Sequence, residues 1–87
     1  MNWKIEVRTT LKKGILDPQG QAVAKGLDAL GFEDVNEVRV GKLIELELKD
    51  RENKEEVKKE VEDMCEKLLA NPVIEDYTFN INPGDDQ

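Results

Sequence analysis

Val38-Arg39-Val40-Gly41-Lys42-Leu43-Ile44-Glu45-Leu46-Glu47-Leu48 is the stretch whose reading decides the fold. Ile44, Leu46 and Leu48 alternate with Glu45 and Glu47, the period of a strand with one buried side. Val35 to Val40 reads as another extended run. Gly41-Lys42 joins the two, and a glycine first in a two-residue loop suits a type II′ turn. The stretch therefore predicts an antiparallel hairpin of strands 35–40 and 43–49.

Working outward, Trp3, Ile5, Val7, Thr9 and Leu11 alternate with Lys4, Glu6, Arg8 and Thr10, which predicts a strand ended by Lys12-Lys13-Gly14. Asp17 can cap a helix, with Pro18 at its first position, where a missing N–H costs nothing. Val23, Gly26, Leu27 and Leu30 follow at helical spacing, and Gly31 suits a left-handed stop. Gly26 falls on the apolar side, where close backbone packing would compensate for its low helix propensity. A second helix is expected from Asn53, capped with Glu56 in place, with Val57, Val61, Met64, Cys65, Leu68 and Leu69 as its stripe. Glu55 with Lys59 and Asp63 with Lys67 stand four apart on its solvated side. Asn71-Pro72 stops that helix.

A last strand runs from Ile74 to Ile81, and Pro83 to Gln87 reads as a flexible polar tail. The order β-α-β-β-α-β predicts an α+β, ferredoxin-like domain over residues 1–82. Its expected form is a four-stranded antiparallel sheet with two helices on one face.

At 87 residues there is room for one domain with a thin core, so association between copies is expected. The apolar surplus of Leu43, Ile44, Leu46 and Leu48 points the same way. The net charge of -7 disfavours nucleic acid and anionic membranes as partners. No apolar run reaches membrane-spanning length and no secretory leader is visible, which predicts a cytoplasmic protein.

Chemistry is sparse. Histidine is absent, which removes the commonest general base and the Ser-His and Cys-His pairs. Cys65, the one cysteine, sits on the apolar stripe, where a thiol acts as a small hydrophobe. Glu45 and Glu47 share a strand face as acid–base or metal-binding pairs do, but charges guarding an edge strand explain them more simply. Gly41-Lys42 lacks the rest of a phosphate-binding loop. Asp17 would repel an anion at the helix start, so its capping role is preferred.

Three segments in order, Leu16-Asp17-Pro18-Gln19-Gly20, Val38 to Glu47 and Met64 to Tyr77 with its Asn71-Pro72-Val73-Ile74-Glu75-Asp76, resemble the PurS family, the small subunits of phosphoribosylformylglycinamidine synthase. The resemblance covers nearly the whole chain. It implies a non-catalytic subunit of an ATP- and glutamine-dependent amidotransferase of purine biosynthesis, joining a large PurL-type synthetase to a PurQ-type glutaminase and helping to shield ammonia. ATP, Mg and glutamine would be used by the complex, with no cofactor or metal on this chain. Asp17, Pro18, Gln19, Arg39, Lys42, Asn71 and Pro72, drawn from those segments, are the candidate partner-interface residues. A homodimer or dimer of dimers is implied, with exchange of the 53–81 unit between copies as one form. The alternatives are a ferredoxin-like small-molecule sensor and, with a poorly matching first loop, an acylphosphatase-like enzyme.

Overall fold

The computed structural model describes residues 1–84. Strand β1 (Trp3–Leu11) lies between β2 (Gly41–Leu48) and β3 (Glu75–Pro83), and both pairings are antiparallel. Helix α1 (Pro18–Ala29) follows β1, and α2 (Lys54–Met64) follows β2 and continues as a π-helical turn over Cys65–Leu69. The class is α+β as expected.

The expected four-stranded sheet is not formed: the sheet has three strands, and residues 35–40 form none of them. Gly41-Lys42 is not a turn but the start of β2, opposite Thr10 and Thr9. The hairpin fails because its first leg is already engaged. The Val40 N–H donates to Asp17 Oδ2 at 3.1 Å, and the Val38 carbonyl lies where a Cβ on Gly20 would stand, at 2.4 Å. Residues 35–40 are thus the return leg of α1. Glycine at 41 answers a different need, because a Cβ there would stand 2.1 Å from the Thr9 carbonyl oxygen of β1.

One face of the sheet makes the core. Trp3, Ile5 and Val7 of β1 and Ile81 of β3 pack with Val57, Val61 and Cys65 of the second helix, and Ile44, Leu46, Leu48, Tyr77 and Phe79 close in around them. The opposite face carries Lys4, Glu6, Glu45, Glu47, Asn80 and Asn82, brought together by the strand registers. Glu45 faces Glu6 and Glu47 faces Lys4 across that solvated surface.

Two helices on one face is the second correction. Only α2 covers the sheet. Gly20 is the one buried residue of α1, while Val23 and Leu30 on its apolar side are 44% and 75% exposed. Both ends of α1 form as expected. Asp17 Oδ1 accepts the Gly20 N–H at 2.9 Å, and after Ala29 the Gly31 and Phe32 N–H groups return to Asp28 and Leu27 with Gly31 at φ 96°. Close packing falls at Gly20 rather than at Gly26, whose added Cβ would meet nothing within 4 Å.

The connector from β2 to α2 is tied at both ends. The Arg51 guanidinium holds Glu60 through two contacts, one of 2.9 Å, while its backbone joins Met1 and its carbonyl accepts the Trp3 indole N–H at 3.2 Å. Asn53 Oδ1 caps α2 through the Glu56 N–H at 2.8 Å, and Asp63 pairs with Lys67 at 3.0 Å. β3 pairs with β1 of its own chain from Pro83 to Glu75. The 53–81 unit therefore completes its own chain's sheet, and the expected exchange of that unit between copies is not seen in this single chain. Gly84 donates to the Asn2 carbonyl at 2.6 Å, and the rest of the expected tail, residues 85–87, lies outside the described residues.

Candidate functional site

Every element begins or ends at one edge of the sheet. β1 leaves through Thr10 and Leu11, β2 enters at Gly41-Lys42, β3 enters at Glu75-Asp76, and α1 opens at Asp17-Pro18-Gln19. Antiparallel pairing forces this, since the ends of neighbouring strands must meet. Between them lies an open cleft of about 340 Å³ lined by Thr10, Asp17, Pro18, Gln19, Lys42 and Glu75. Four of the seven residues expected from the sequence, Asp17, Pro18, Gln19 and Lys42, thus come together. Arg39 does not join them. It lines a neighbouring hollow of about 390 Å³ with Lys12, Lys13 and Glu37.

Asn71 and Pro72 lie just beyond the cleft, and Glu75 is the link. Glu75 Oε1 accepts the Asn71 N–H at 2.7 Å while its residue also lines the cleft. Asn71 organises the turn that follows. Its carbonyl accepts from Ile74 and Glu75, and its side chain accepts the Val73 N–H at 3.2 Å. The Lys12 N–H donates to the Ile74 carbonyl at 2.8 Å, and the Lys12 ammonium stands 3.6 Å from Asp76, so the β1 exit is stitched to this turn.

Asp17 is the most committed group here. Its two carboxylate oxygens accept the Gly20 and Val40 N–H groups, and these bonds, Gly20 first, hold its carboxyl below the usual carboxylate range. A carboxylate spent on two backbone donors orients chain segments and has little left for proton transfer. What the cleft offers is a cation at Lys42, an amide at Gln19 and the side chain of Thr10, a set suited to docking a polar surface. Among the described residues, no three His, Cys, Asp or Glu side chains gather as a metal site would require. None of the described helices is long and apolar enough to cross a membrane.

Sequence reasoning missed Glu75 and the pair beside it, Tyr77 and Glu66. The Tyr77 hydroxyl donates to Glu66 Oε2 at 2.8 Å, and the carboxylate pushes the phenol up to about 12. Glu66 lies on the second helix and Tyr77 on β3, so only the docking of α2 brings them together. Cys65 is fully buried, as its place on the stripe implied, and burial raises its thiol pKa.

A single helix on a three-stranded sheet, a second, free-standing capped helix and a cleft where the strand ends meet define a small α+β module. Comparison with known proteins gives it a family. The family described as PurS: Phosphoribosylformylglycinamidine (FGAM) synthase matches residues 4–83. The PurS subunit of Methanocaldococcus jannaschii is 48% identical over 79 residues, covering 91% of this chain and 94% of that one. The crystal structure of PurS from that organism, described as one of the subunits of formylglycinamide ribonucleotide amidotransferase in the purine biosynthetic pathway, superposes with a TM-score of 0.80 at 46% identity, over 95% of this chain and 99% of that one. A chain in the structure of PurLQS from Thermotoga maritima superposes at 0.84 with 32% identity, over 94% and 99%. The chain belongs to the PurS family, the small subunits of FGAM synthase, a ligase complex of purine biosynthesis.

Proposed function

We propose that this chain is the non-catalytic assembly subunit of its FGAM synthase, bridging a PurL-type synthetase and a PurQ-type glutaminase and helping to keep ammonia from water in transit. The observation that carries this is the shape of the chain. Its radius of gyration is 16.8 Å, against about 12 Å for a compact domain of this length, and its extents are 50 × 32 × 15 Å. A body one helix and one sheet thick, with α1 uncovered, is built to be completed by other chains. The Thermotoga maritima relative whose structure is described as PurLQS supports the choice of partners.

ATP, Mg and glutamine belong on this reading to the partner subunits, and the cytoplasm is where the complex works. The chain associates with itself as a homodimer or dimer of dimers, because the exposed side of α1 and the Leu43 end of β2 need cover. The test is reconstitution. Glutamine-dependent FGAM formation should require this chain together with both partners, and turnover by this chain alone would sink the reading.

A further inference from the structure

β3 has a free outer edge, and the ladder shows which groups it presents. The Lys12 N–H donates to the Ile74 carbonyl and the Gly84 N–H to the Asn2 carbonyl, so the even-numbered residues of β3 turn their backbone groups toward β1. The N–H and carbonyl groups of Tyr77, Phe79 and Ile81 therefore point away from the sheet. They bond no other backbone group among the described residues. Edge strands are ordinarily guarded by charge or proline. β2 carries Lys42, Glu45 and Glu47, whereas Tyr77 to Asn82 carries no charge at all in a chain that is 38% charged.

We infer that β3 pairs antiparallel with β3 of a second copy about a two-fold axis at Phe79, an inference that rests on the self-association proposed above. This register engages every free group. Phe79 faces Phe79 and Tyr77 faces Ile81 on either side, each pair exchanging two hydrogen bonds. The ladder then stops where the donors run out. Glu75 and Pro83 would form the next pair, but the Glu75 N–H is spent on the Asn71 carbonyl and proline has none. The half-buried rings of Tyr77 and Phe79 gain apolar neighbours on the side that α2 covers, and Thr78 meets Asn80 on the other.

The second helix selects the same partner. Lys54, Lys58, Glu62 and Glu66 follow one another four apart, and all are exposed. Lys54 and Lys58 line a hollow of about 540 Å³ with Phe79, Asn80, Ile81 and Asn82, while Glu66 bonds the Tyr77 hydroxyl. The stripe thus runs beside β3 in the opposite direction. A two-fold axis at Phe79 sets it antiparallel to its own copy, with Lys54 toward Glu66 and Lys58 toward Glu62. None of the four holds an ion pair within the chain among the described residues. Two chains of net -7 repel at a distance, and this matched stripe offsets the repulsion at contact. Both chains use the same patch, so the contact closes at two copies.

The test is sedimentation of charge variants, singly and mixed. K58E sets like charges opposite each other at both ends of the joint, and E62K does so with the other sign. Each alone should raise the dissociation constant of this contact about tenfold or more without changing the circular dichroism, because both side chains are exposed. Mixing the two variant chains restores opposite charges at both ends, so the mixture should regain the wild-type mass. Cysteines read the register. T78C chains should cross-link to N80C chains more than either does to itself, since that pair is closely spaced, and Cys65 is buried out of reach. Wild-type mass in both charge variants, a mixture no heavier than its components, or cysteines that prefer their own copies would each overturn the inference. A multimer insensitive to all four variants would leave self-association to another surface and end only this proposal. A monomeric wild type would end both. Protection of T78C from a thiol reagent only on adding the synthetase or glutaminase would assign the edge to another subunit, which also refutes it.

Discussion

At the scale of single residues, the two glycines of α1 make opposite demands. Gly20 sits against the Val38 carbonyl, and a methyl there overlaps backbone that cannot step aside. Gly20→Ala should therefore cost roughly 2 kcal/mol or more, whereas Gly26→Ala, in open space, should gain about 0.5–1 kcal/mol. Urea midpoints that rank the two the other way would mean α1 does not pack on its return leg. Thr9 is 1% exposed, and its hydroxyl finds no partner among the described residues. Thr9→Val keeps the branched shape and removes a buried polar atom, so it should stabilise by about 1 kcal/mol in the same assay. Asp17 makes stability depend on acid. Its folded pKa is depressed, so its contribution is complete above the unfolded value of about 3.9 and is lost as pH falls through the lower folded value. Glu60, lowered by the Arg51 hydrogen bond, acts in the same direction. Asp17→Asn should flatten the acid limb of the stability profile, and parallel profiles for variant and wild type would contradict the two-donor geometry. Asp17 and Pro18 announced the helix start, but the bond from Val40 could not be read from 23 positions away.

Among the elements, the second helix shows how local pattern and packing divide the work. Its start at Asn53 and its stop at Asn71-Pro72 were legible, because caps and prolines act on adjacent backbone. Asn53→Ala should cost about 1 kcal/mol in thermal unfolding. The π turn over Cys65–Leu69 was not legible. Cys65 and Ala70 are both buried, yet five residues of α-helix would place them about 140° apart around the axis. Closing the turn with the Ala70 N–H donating to the Cys65 carbonyl five residues back brings them toward one side, so the demand comes from the sheet they pack on. The Glu66–Tyr77 bond depends on that turn. Tyr77 is the only tyrosine, so an ultraviolet titration reads it directly. The phenol should ionise near 12, and Glu66→Gln should bring it down toward the ordinary value of about 10. Because the folded pKa is raised, whatever the neutral phenol contributes to stability is present below about pH 10 and lost as pH climbs through the folded value. An unshifted titration in wild type would show that the second helix does not reach β3 at this point.

For the whole molecule, a flat and elongated outline means that little of the apolar surface of α1 is hidden within one chain. Light scattering at micromolar concentration should therefore give a mass that is a multiple of 9.9 kDa, and a clean monomer would count against the proposed self-association. Lys42, Asp17 and Glu75 come from three elements and meet only because the strand ends share one edge. Changing Lys42 to Glu should weaken activation of the complex while leaving the melting curve within about 1 kcal/mol of wild type, since exposed charges contribute little to folding.

Alternation in β1 and β3, the caps at Asp17 and Asn53 and the breaks at Gly31 and Pro72 were settled by the sequence itself. Each depends on residues that are neighbours along the chain, where spacing and backbone preference act without help. The three ordered segments likewise carried the family, because identity and order survive without coordinates. The tertiary structure alone decided that residues 35–40 serve α1 rather than the sheet. A glycine before a lysine reads as a turn until the Thr9 carbonyl occupies the space beside it, and a valine N–H belongs to a strand until Asp17 takes it. Strand count, the free-standing α1 and the gathering of Asp17, Lys42 and Glu75 all follow from that contest between distant partners for the same backbone groups. Only folding brings those partners within reach.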